Sequence, residues 1–588
     1  MAIVLTLCIL LAAVLLFASE WLPMDVVAML ILLALAITGL VSVSEALSGF
    51  ANPAVITVAA MFVISTGITH TGALGKGGEH LIRLAGGSEL RLTVIIMASV
   101  ALFSAFINNI GATAVLMPVV IDVCRRMHIS PSKMLIPLAY GSLLGGVCTL
   151  IGTPPNILMN ALLQEYTGER FGLFSFSPLG LVVIAVGIGY MALIGRRMLP
   201  VRKSGKLTEA YQVKEYITQV KILRDSPISG QTIAGSGLEG DFQLRVRAIL
   251  RGREKIPQPR RNRKLRVGDI LFLEGNPQGI LKVMAAKGLQ LIPERAQKQP
   301  LSGKELIVIE ASLSPNSEMV GKTLRQVRFR ETYGLDVLAL WRQGAPVVRK
   351  VDHVVLKFGD VLLLQGEEEG IKHLGREHGF LLLGGVEPEP YRPRQAPMAL
   401  LILASVILLT STEILPIALA APFGAVAMVI SGCLTMQEAY ESIDWRIILL
   451  IAGTLPLGLA LENSGAASLL SEGLLQLVGD WGPYAVLAAF FLLTSLLTEI
   501  MSHAATAVLI APVALHAALT LQVSPRPFFM AVAVAASSCF MTPISHQSNA
   551  LVMGPGGYRF MDYIRAGAML NLLIWICGCF LIPWLFPF

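Results

Sequence analysis

Two blocks of roughly 200 residues, each almost free of charge, enclose a polar segment, and that division limits the fold more than any motif does. Of the 46 Lys and Arg residues, 33 lie between Arg202 and Arg394. The flanking blocks are built of apolar runs, most of a length that crosses a bilayer core. Seven runs fall near 2–18, 23–42, 53–70, 91–107, 112–123, 134–150 and 178–199. Seven more fall near 398–412, 416–434, 446–462, 483–500, 504–521, 526–543 and 566–586. A polytopic α-helical membrane protein follows, and a mean hydropathy of +0.68 with only 14% charged residues excludes an ordinary soluble domain. The positive charge sits in the insert, so the net charge of +7 gives no reason to expect a nucleic-acid partner.

Met1 to Ala18 lacks the basic start and small-residue cleavage site of a signal peptide, so a retained first helix is expected. Arg196, Arg197, Arg202, Lys203 and Lys206 follow one span, and Arg392 and Arg394 precede the next. The positive-inside tendency places residues 201–396 in the cytoplasm of a multi-pass inner-membrane protein. The seven cysteines, including Cys577 and Cys579, form no metal-ligand or CxxC pattern and read as packing. Glu413, Asp444, Glu462 and Glu499 stand at or near helix ends and read as interfacial anchors.

Both parts of the chain repeat internally. Within the insert an offset of 91 residues pairs Gly230, Thr232, Arg251, Gly268, Asp269 and Gly275 with Gly321, Thr323, Arg342, Gly359, Asp360 and Gly366. Each copy alternates short strand-like runs with turn signals, as in Val220 to Leu223, Leu244 to Leu250 and Asp269 to Leu273, then a helix from about Asn276. The domains are therefore a first transmembrane repeat over 1–200, two small α+β units over 201–296 and 297–396, and a second transmembrane repeat over 397–588.

In the membrane blocks the shared offset is 393. The segment Asn108-Asn109-Ile110-Gly111-Ala112-Thr113 has the layout of Met501-Ser502-His503-Ala504-Ala505-Thr506, and Gly152-Thr153-Pro154-Pro155-Asn156 falls opposite Ser545-His546-Gln547-Ser548-Asn549. Adjacent amides are costly in hydrocarbon unless they find partners, and two consecutive prolines stop a helix. Broken helices at matching places in two halves point to a transport site at the membrane midplane. Freed carbonyls there can coordinate Na⁺, and the N-terminus of the next half-helix favours an anion. No Lys or Arg stands in either break, so amides, hydroxyls and helix ends must hold the anion, balanced by cations bound with it. His503 and His546 read equally as ligands or proton carriers and as hydrogen-bonded packing.

On these motifs the chain resembles the divalent anion:sodium symporter family, within the ion transporter superfamily, which carries sulfate, dicarboxylates and citrate. The resemblance implies two inverted repeats with re-entrant hairpins, a Ser-Asn-Thr motif at each hairpin tip, two Na⁺ sites flanking the anion, a homodimer and an elevator-type motion. Carried over residue by residue, it implies Na⁺ ligation by Asn108, Asn109, Gly152 and Asn156 in one half and by Ser502, His503, Ser545 and Asn549 in the other. The anion would meet Asn109, Ile110, Thr153, Ser502, His503, Ala504 and Gln547. Ile110 and Ala504 replace the hydroxyl at the third motif position, which weakens a dicarboxylate and favours a compact tetrahedral oxyanion. The tail from Val552 to Phe560 is similar to that of sulfate-type members with a soluble insert. His503 in place of the family Asn leaves Na⁺ or H⁺ open at the second site, and the repeat leaves that motif's register open by one residue.

The insert is similar to the C-terminal regulatory domain of K⁺-conductance regulators, which implies either a cytosolic ligand or a scaffold without one. The sequence thus leads to Na⁺-coupled symport of a small divalent anion, sulfate first. Dicarboxylate uptake, oxyanion efflux and a channel gated by the insert are the alternatives. No nucleotide loop, metal-ligand cluster or nucleophile elbow suggests an enzyme.

Overall fold

The computed structural model describes residues 1–19, 21–73, 88–127, 129–202 and 392–588. Within the insert it describes 216–223, 226–238, 244–251, 254–257, 259, 262–275, 289–291, 307–313, 317, 319–342, 345–347, 351–357, 359–375 and 379–383. The helix expected from about Asn276 lies outside the described residues.

Each of the fourteen apolar runs is a helix over most of its length. Among the described residues seven helical segments are long and apolar enough to span a membrane: Ala2–Ser19, Val43–His70, Ser177–Met198, Pro393–Ser411, Trp445–Ser464, His503–Thr520 and Phe560–Leu585. Shorter apolar helices, such as Met24–Ile37, Ile417–Ile430, Pro483–Thr498 and Arg526–Ser537, stand among them. A helix satisfies its own backbone groups, which hydrocarbon cannot do. Large apolar side chains such as Leu11, Ile37, Leu401, Ile430 and Phe580 remain exposed on outer faces, as lipid contact requires.

The 393-residue repeat is visible in structure as well as in residue type. The short helices Val43–Ser48 and Met436–Ser442 begin with capping boxes made by Ser42 with Glu45 and by Thr435 with Glu438. Helices Pro154–Thr167 and Gln547–Gly556 both follow a proline or polar break. The two halves interlock. Helix Pro154–Thr167 packs on Arg526–Ser537 and His503–Thr520, and Trp445–Ser464 packs on Met24–Ile37. Tyrosines fasten the seam, with Tyr140 Oη donating to Phe540 O at 2.7 Å, Tyr190 Oη to Ala566 O at 2.9 Å and Tyr558 Oη to Ser132 O at 2.6 Å.

Two compact units divide the chain, one of Lys203–Ile307 and the other of Met1–Arg202 with Val308–Phe588. The first unit holds a five-stranded antiparallel sheet in the order β3-β2-β4-β1-β5, from β1 Tyr216–Ile222, β2 Arg245–Arg251, β3 Glu254–Pro257, β4 Ile270–Gly275 and β5 Leu289–Leu291. Strands β6 Ile307–Leu313, β7 Asp336–Arg342, β8 Ala345–Pro346, β9 Val361–Gly366 and β10 Phe380–Leu382 repeat it in the order β10-β6-β9-β7-β8. Read backwards, that is the same topology. Each sheet carries one buried ion pair, Arg251 Nη2 to Asp269 and Arg342 Nη2 to Asp360, both at 2.7 Å, and each has a register shift, at Val246/Ala248 and Val337/Ala339. The duplicated Arg and Asp are thus fold residues, and leaving either carboxylate unpaired in its core costs about 3–5 kcal/mol.

The second sheet touches membrane helices of its own unit. A Cβ on Gly554 would run into the carbonyl oxygen of Gly359 and come within 3.3 Å of Val361 Cγ2, and Glu310 on β6 lies 3.6 Å from Arg125. Gly554 lies in the last turn of helix Gln547–Gly556, and Arg125 in the last turn of helix Asn109–Arg126.

Among the four acidic residues read as interfacial anchors, Glu413 is exposed and pairs with Arg170 at 3.1 Å, Asp444 caps a helix by accepting from Arg446 N at 3.1 Å, and Glu462 is exposed. Glu499 departs from that expectation. It is 5% exposed, because the helix it ends stops inside the bundle rather than at its surface.

Candidate functional site

Both breaks place helix N-termini against one cavity of about 520 Å³. Its lining takes Asn108, Asn109, Ile110, Gly152 and Pro154 from the first half and Met501, Ser502, His503, Ser545, His546 and Gln547 from the second. Phe17, Trp21, Leu22, Pro23, Met24, Phe62 and Ile447 close the other side with apolar surface. Among the described residues no Lys, Arg, Asp or Glu lines it. Four helices start here, at Asn109, Pro154, His503 and Gln547, each presenting backbone N–H groups and a partial positive charge of roughly half an elementary charge. The cavity is suited to an anion held without a fixed cationic side chain.

The two halves build their breaks with the same bonds. Asn156 Nδ2 donates to Thr149 O at 2.8 Å and Gly146 O at 3.4 Å, and Asn549 Nδ2 donates to Thr542 O at 3.1 Å and Cys539 O at 2.8 Å, all at the offset of 393. Each amide ties its half-helix to the end of the preceding one. Both side-chain oxygens, Asn156 Oδ1 and Asn549 Oδ1, are buried with no hydrogen-bond partner, as are Gln547 Oε1 and Ser548 Oγ. Unpaired buried acceptors are costly, and a cation is what a cluster of oxygen atoms accepts.

Register differs between the breaks by one residue. Thr113 Oγ1 donates to Asn109 O at 2.8 Å and Thr506 Oγ1 to Ser502 O at 3.1 Å, which preserves the offset of 393. The helix caps, however, are Asn108 and Ser502. Four residues separate the flanking helices in both breaks, 105–108 and 499–502, so at the offset of 393 the helix after the first break starts one residue earlier, at Asn109. Asn108 Oδ1 accepts from Ile110 N at 3.0 Å, whereas the Ser502 side chain makes no capping bond.

Asn109 is 3% exposed and held from behind: Ser104 Oγ donates to its Oδ1 at 2.6 Å. Gly146 leaves room for it, since a Cβ there would lie 2.6 Å from Asn109 Oδ1 and 2.9 Å from Nδ2. We expect Gly146→Ala to displace the amide and reduce uptake by about tenfold or more while the protein stays folded, as uptake and size-exclusion profiles on one preparation will show. His546 caps helix Gln547–Gly556, its Nδ1 accepting from Ser548 N at 3.0 Å. An accepting Nδ1 leaves the hydrogen on Nε2, so this ring is a donor. Its centroid lies 5.0 Å from that of His503, with the rings tilted by 32°.

Eight of the residues singled out in sequence line the cavity: Asn108, Asn109, Ile110, Gly152, Ser502, His503, Ser545 and Gln547. Asn156, Asn549 and Ala504 are buried behind that lining. Thr153 faces the other half, its Oγ1 lying 3.1 Å from Ser537 Oγ, and it braces the two repeats against each other. His546 joins the lining through a capping role that its position before Gln547 does not announce in sequence.

A multi-pass membrane protein with such paired breaks around one cavity is a transporter in class. The chain belongs to the citrate transporter family, whose profile matches residues 14–535. It is 39% identical to an uncharacterized transporter of Synechocystis sp. over 97% of this chain and 95% of that one, and 34% identical to the uncharacterized transporter YfbS of Escherichia coli over 98% of each. At greater distance it is 23% identical to sodium/sulfate cotransporter 2 of Chlamydomonas reinhardtii, over 96% of this chain and 87% of that protein. The family and these relatives are transporters.

Proposed function

We propose that the protein is a secondary active transporter that imports a small divalent oxyanion, sulfate first, together with Na⁺. The observation that carries this reading is the cavity itself: four helix N-termini and neutral donors, with no fixed cation among the described residues to balance a dianion. Asn109 Nδ2, Ser502 Oγ, His546 Nε2–H and Gln547 Nε2 are the donors for the anion. Neutral oxygens at the two breaks, with Asn108, Gly152 and Asn156 on one side and Ser545 and Asn549 on the other, are the ligands for Na⁺. Apolar Ile110 on the wall disfavours a second carboxylate. A dimer, an inverted relation between the repeats and an elevator-type motion complete the reading. Uptake of radiolabelled sulfate, succinate and citrate into proteoliposomes, with and without an inward Na⁺ gradient, tests it. Saturable sulfate uptake that needs the gradient is expected, and uptake indifferent to Na⁺ would overturn the coupling.

His503 stands where a neutral amide would otherwise serve Na⁺, and an imidazole offers it one nitrogen lone pair or, when protonated, repels it. We expect His503→Asn to raise the apparent Na⁺ affinity of uptake across the physiological pH range. Superimposable Na⁺ titrations of the two proteins at each pH would remove His503 from the coupling.

For the insert, a cytosolic regulatory role is supported by the second sheet's seat on two helices that begin at the cavity. Replacing residues 208–390 by a flexible linker should leave Na⁺-driven uptake measurable and change its rate. Gly554→Leu, which wedges the Gly359 contact apart, should move the rate in the same direction. Unaltered kinetics in both would leave the insert as a scaffold.

A further inference from the structure

Glu499 lies directly behind the second break and has no role in the site described so far. Its Oε1 accepts from Met541 N at 2.9 Å and from Asn571 Nδ2 at 3.0 Å. Its Oε2 is buried with no hydrogen-bond partner, and so is Asn571 Oδ1. The two side chains are 5% and 7% exposed. Around the carboxylate stand the hydroxyls of Thr542 and Ser545, the Cys539 thiol and the Tyr140 phenol, and none of the ion pairs among the described residues includes it. A buried carboxylate with no cationic partner beside an anion cavity is electrostatically unfavourable unless something neutralises it.

Structural duty explains only part of the pair: Oε1 takes the N–H of Met541, whose repeat counterpart Cys148 donates to Gly145 O at 2.9 Å instead, while Oε2 and Asn571 Oδ1 take nothing. Thr542 Oγ1 donates to the backbone oxygen of Glu499 at 3.0 Å, and Thr149 Oγ1 makes the same bond to Ala105 O in the first half. The break is thus built in both halves by the same threonine, and in the first with Ala105 in place of the glutamate. Pro178 stands at the repeat position of Asn571. The first half closes with neither carboxylate nor amide. The pair is an addition peculiar to the second half, and what it adds is two oxygens that lack a donor.

We propose that Glu499 Oε2 and Asn571 Oδ1 bind a monovalent hard cation, Na⁺ in the coupled cycle, as a site separate from the two at the breaks. Oxygen-only ligation by one carboxylate and one amide carbonyl suits such an ion, and its charge cancels that of Glu499. Because residues 500–503 run from this site to the cavity wall, filling it removes a negative charge from behind the anion. The inference rests on the transport reading for its role in coupling, whereas ion binding itself does not.

The test uses the full-length protein in two measurements. The first is thermal stabilisation of detergent-solubilised protein by NaCl against choline chloride without sulfate. The second is the Na⁺ dependence of sulfate uptake in proteoliposomes. For Glu499→Gln we expect the Na⁺-specific stabilisation to shrink, the half-saturating Na⁺ concentration for uptake to rise about tenfold, and the Hill coefficient to fall. Asn571→Ala should give a smaller shift in the same direction. Exchanging the groups, Glu499→Asn with Asn571→Asp, should restore part of the Na⁺ response and guards against simple misfolding. Wild-type Na⁺ stabilisation and titration in folded Glu499→Gln would overturn the proposal. So would a variant that keeps its Na⁺ response and loses only a dependence on pH, which would make the group a proton carrier. If wild type shows no Na⁺-driven uptake yet Na⁺ stabilises it and not Glu499→Gln, the transport reading fails and this site stands.

Discussion

Asn109→Ala should lower uptake by about a hundredfold or more while expression and thermal stability stay near wild type, since metal and substrate ligands with their supports are worth factors of this order. The side chain gives nothing to the packed core that Ala does not, apart from the bond it accepts from Ser104 Oγ. That hydroxyl then loses its acceptor in a region already next to a polar cavity, so the cost to stability is about 1 kcal/mol. The cost to function is larger, because the amide presents Nδ2 and Oδ1 together at the tip of the first break. Asn109→Asp separates the two roles. It keeps the oxygen, removes the donor and adds a charge that repels a dianion, so it should abolish sulfate uptake and leave Na⁺-dependent thermal stabilisation in place. Uptake at wild-type rates by folded Asn109→Ala would sink the assignment of this break to the site.

Asn549→Ala should fail differently, in stability as well as in uptake. Its Nδ2 satisfies Cys539 O and Thr542 O, two buried carbonyls at the end of one half-helix, from the first turn of the next. Loss of both bonds leaves the two carbonyls with Ser545 Oγ alone, at 3.0 Å from Thr542 O and 3.5 Å from Cys539 O, at a cost of about 1–3 kcal/mol in all. A fall of several degrees in the melting temperature is expected for a protein of this size. Asn156→Ala removes the corresponding bonds to Thr149 O and Gly146 O and should behave alike. Melting curves of the two variants, measured side by side, check whether the repeat is energetic as well as geometric. A variant that melts as wild type but no longer takes up sulfate would show that the amide serves only the ions.

The membrane architecture was legible because hydrocarbon imposes one strong rule, that apolar runs become helices, and all fourteen runs obey it. The helices Pro154–Thr167 and Gln547–Gly556 were not read as spans, since they are short, begin with Pro or Gln and carry Asn near their starts. They exist because each is capped and tied by an Asn to the preceding helix, a contact between residues seven to ten apart that periodicity does not register. The insert's 91-residue offset was legible in the sequence, and its two sheets have the same strand order.

Residue pattern alone determined the class of fold, the two repeats and the segments that meet at the cavity, because proline breaks and adjacent amides in apolar surroundings have few physical uses. Tertiary structure decided how each side chain is spent. It turned Thr153 toward Ser537 in the opposite half, made His546 a cap whose free nitrogen is a donor, and shifted the helix start at the first break by one residue against the repeat. It also buried Glu499 beside Asn571 rather than leaving it at an interface. These outcomes depend on where a helix stops within the bundle and which element crosses behind it, and those distances are set by packing between residues far apart in the chain.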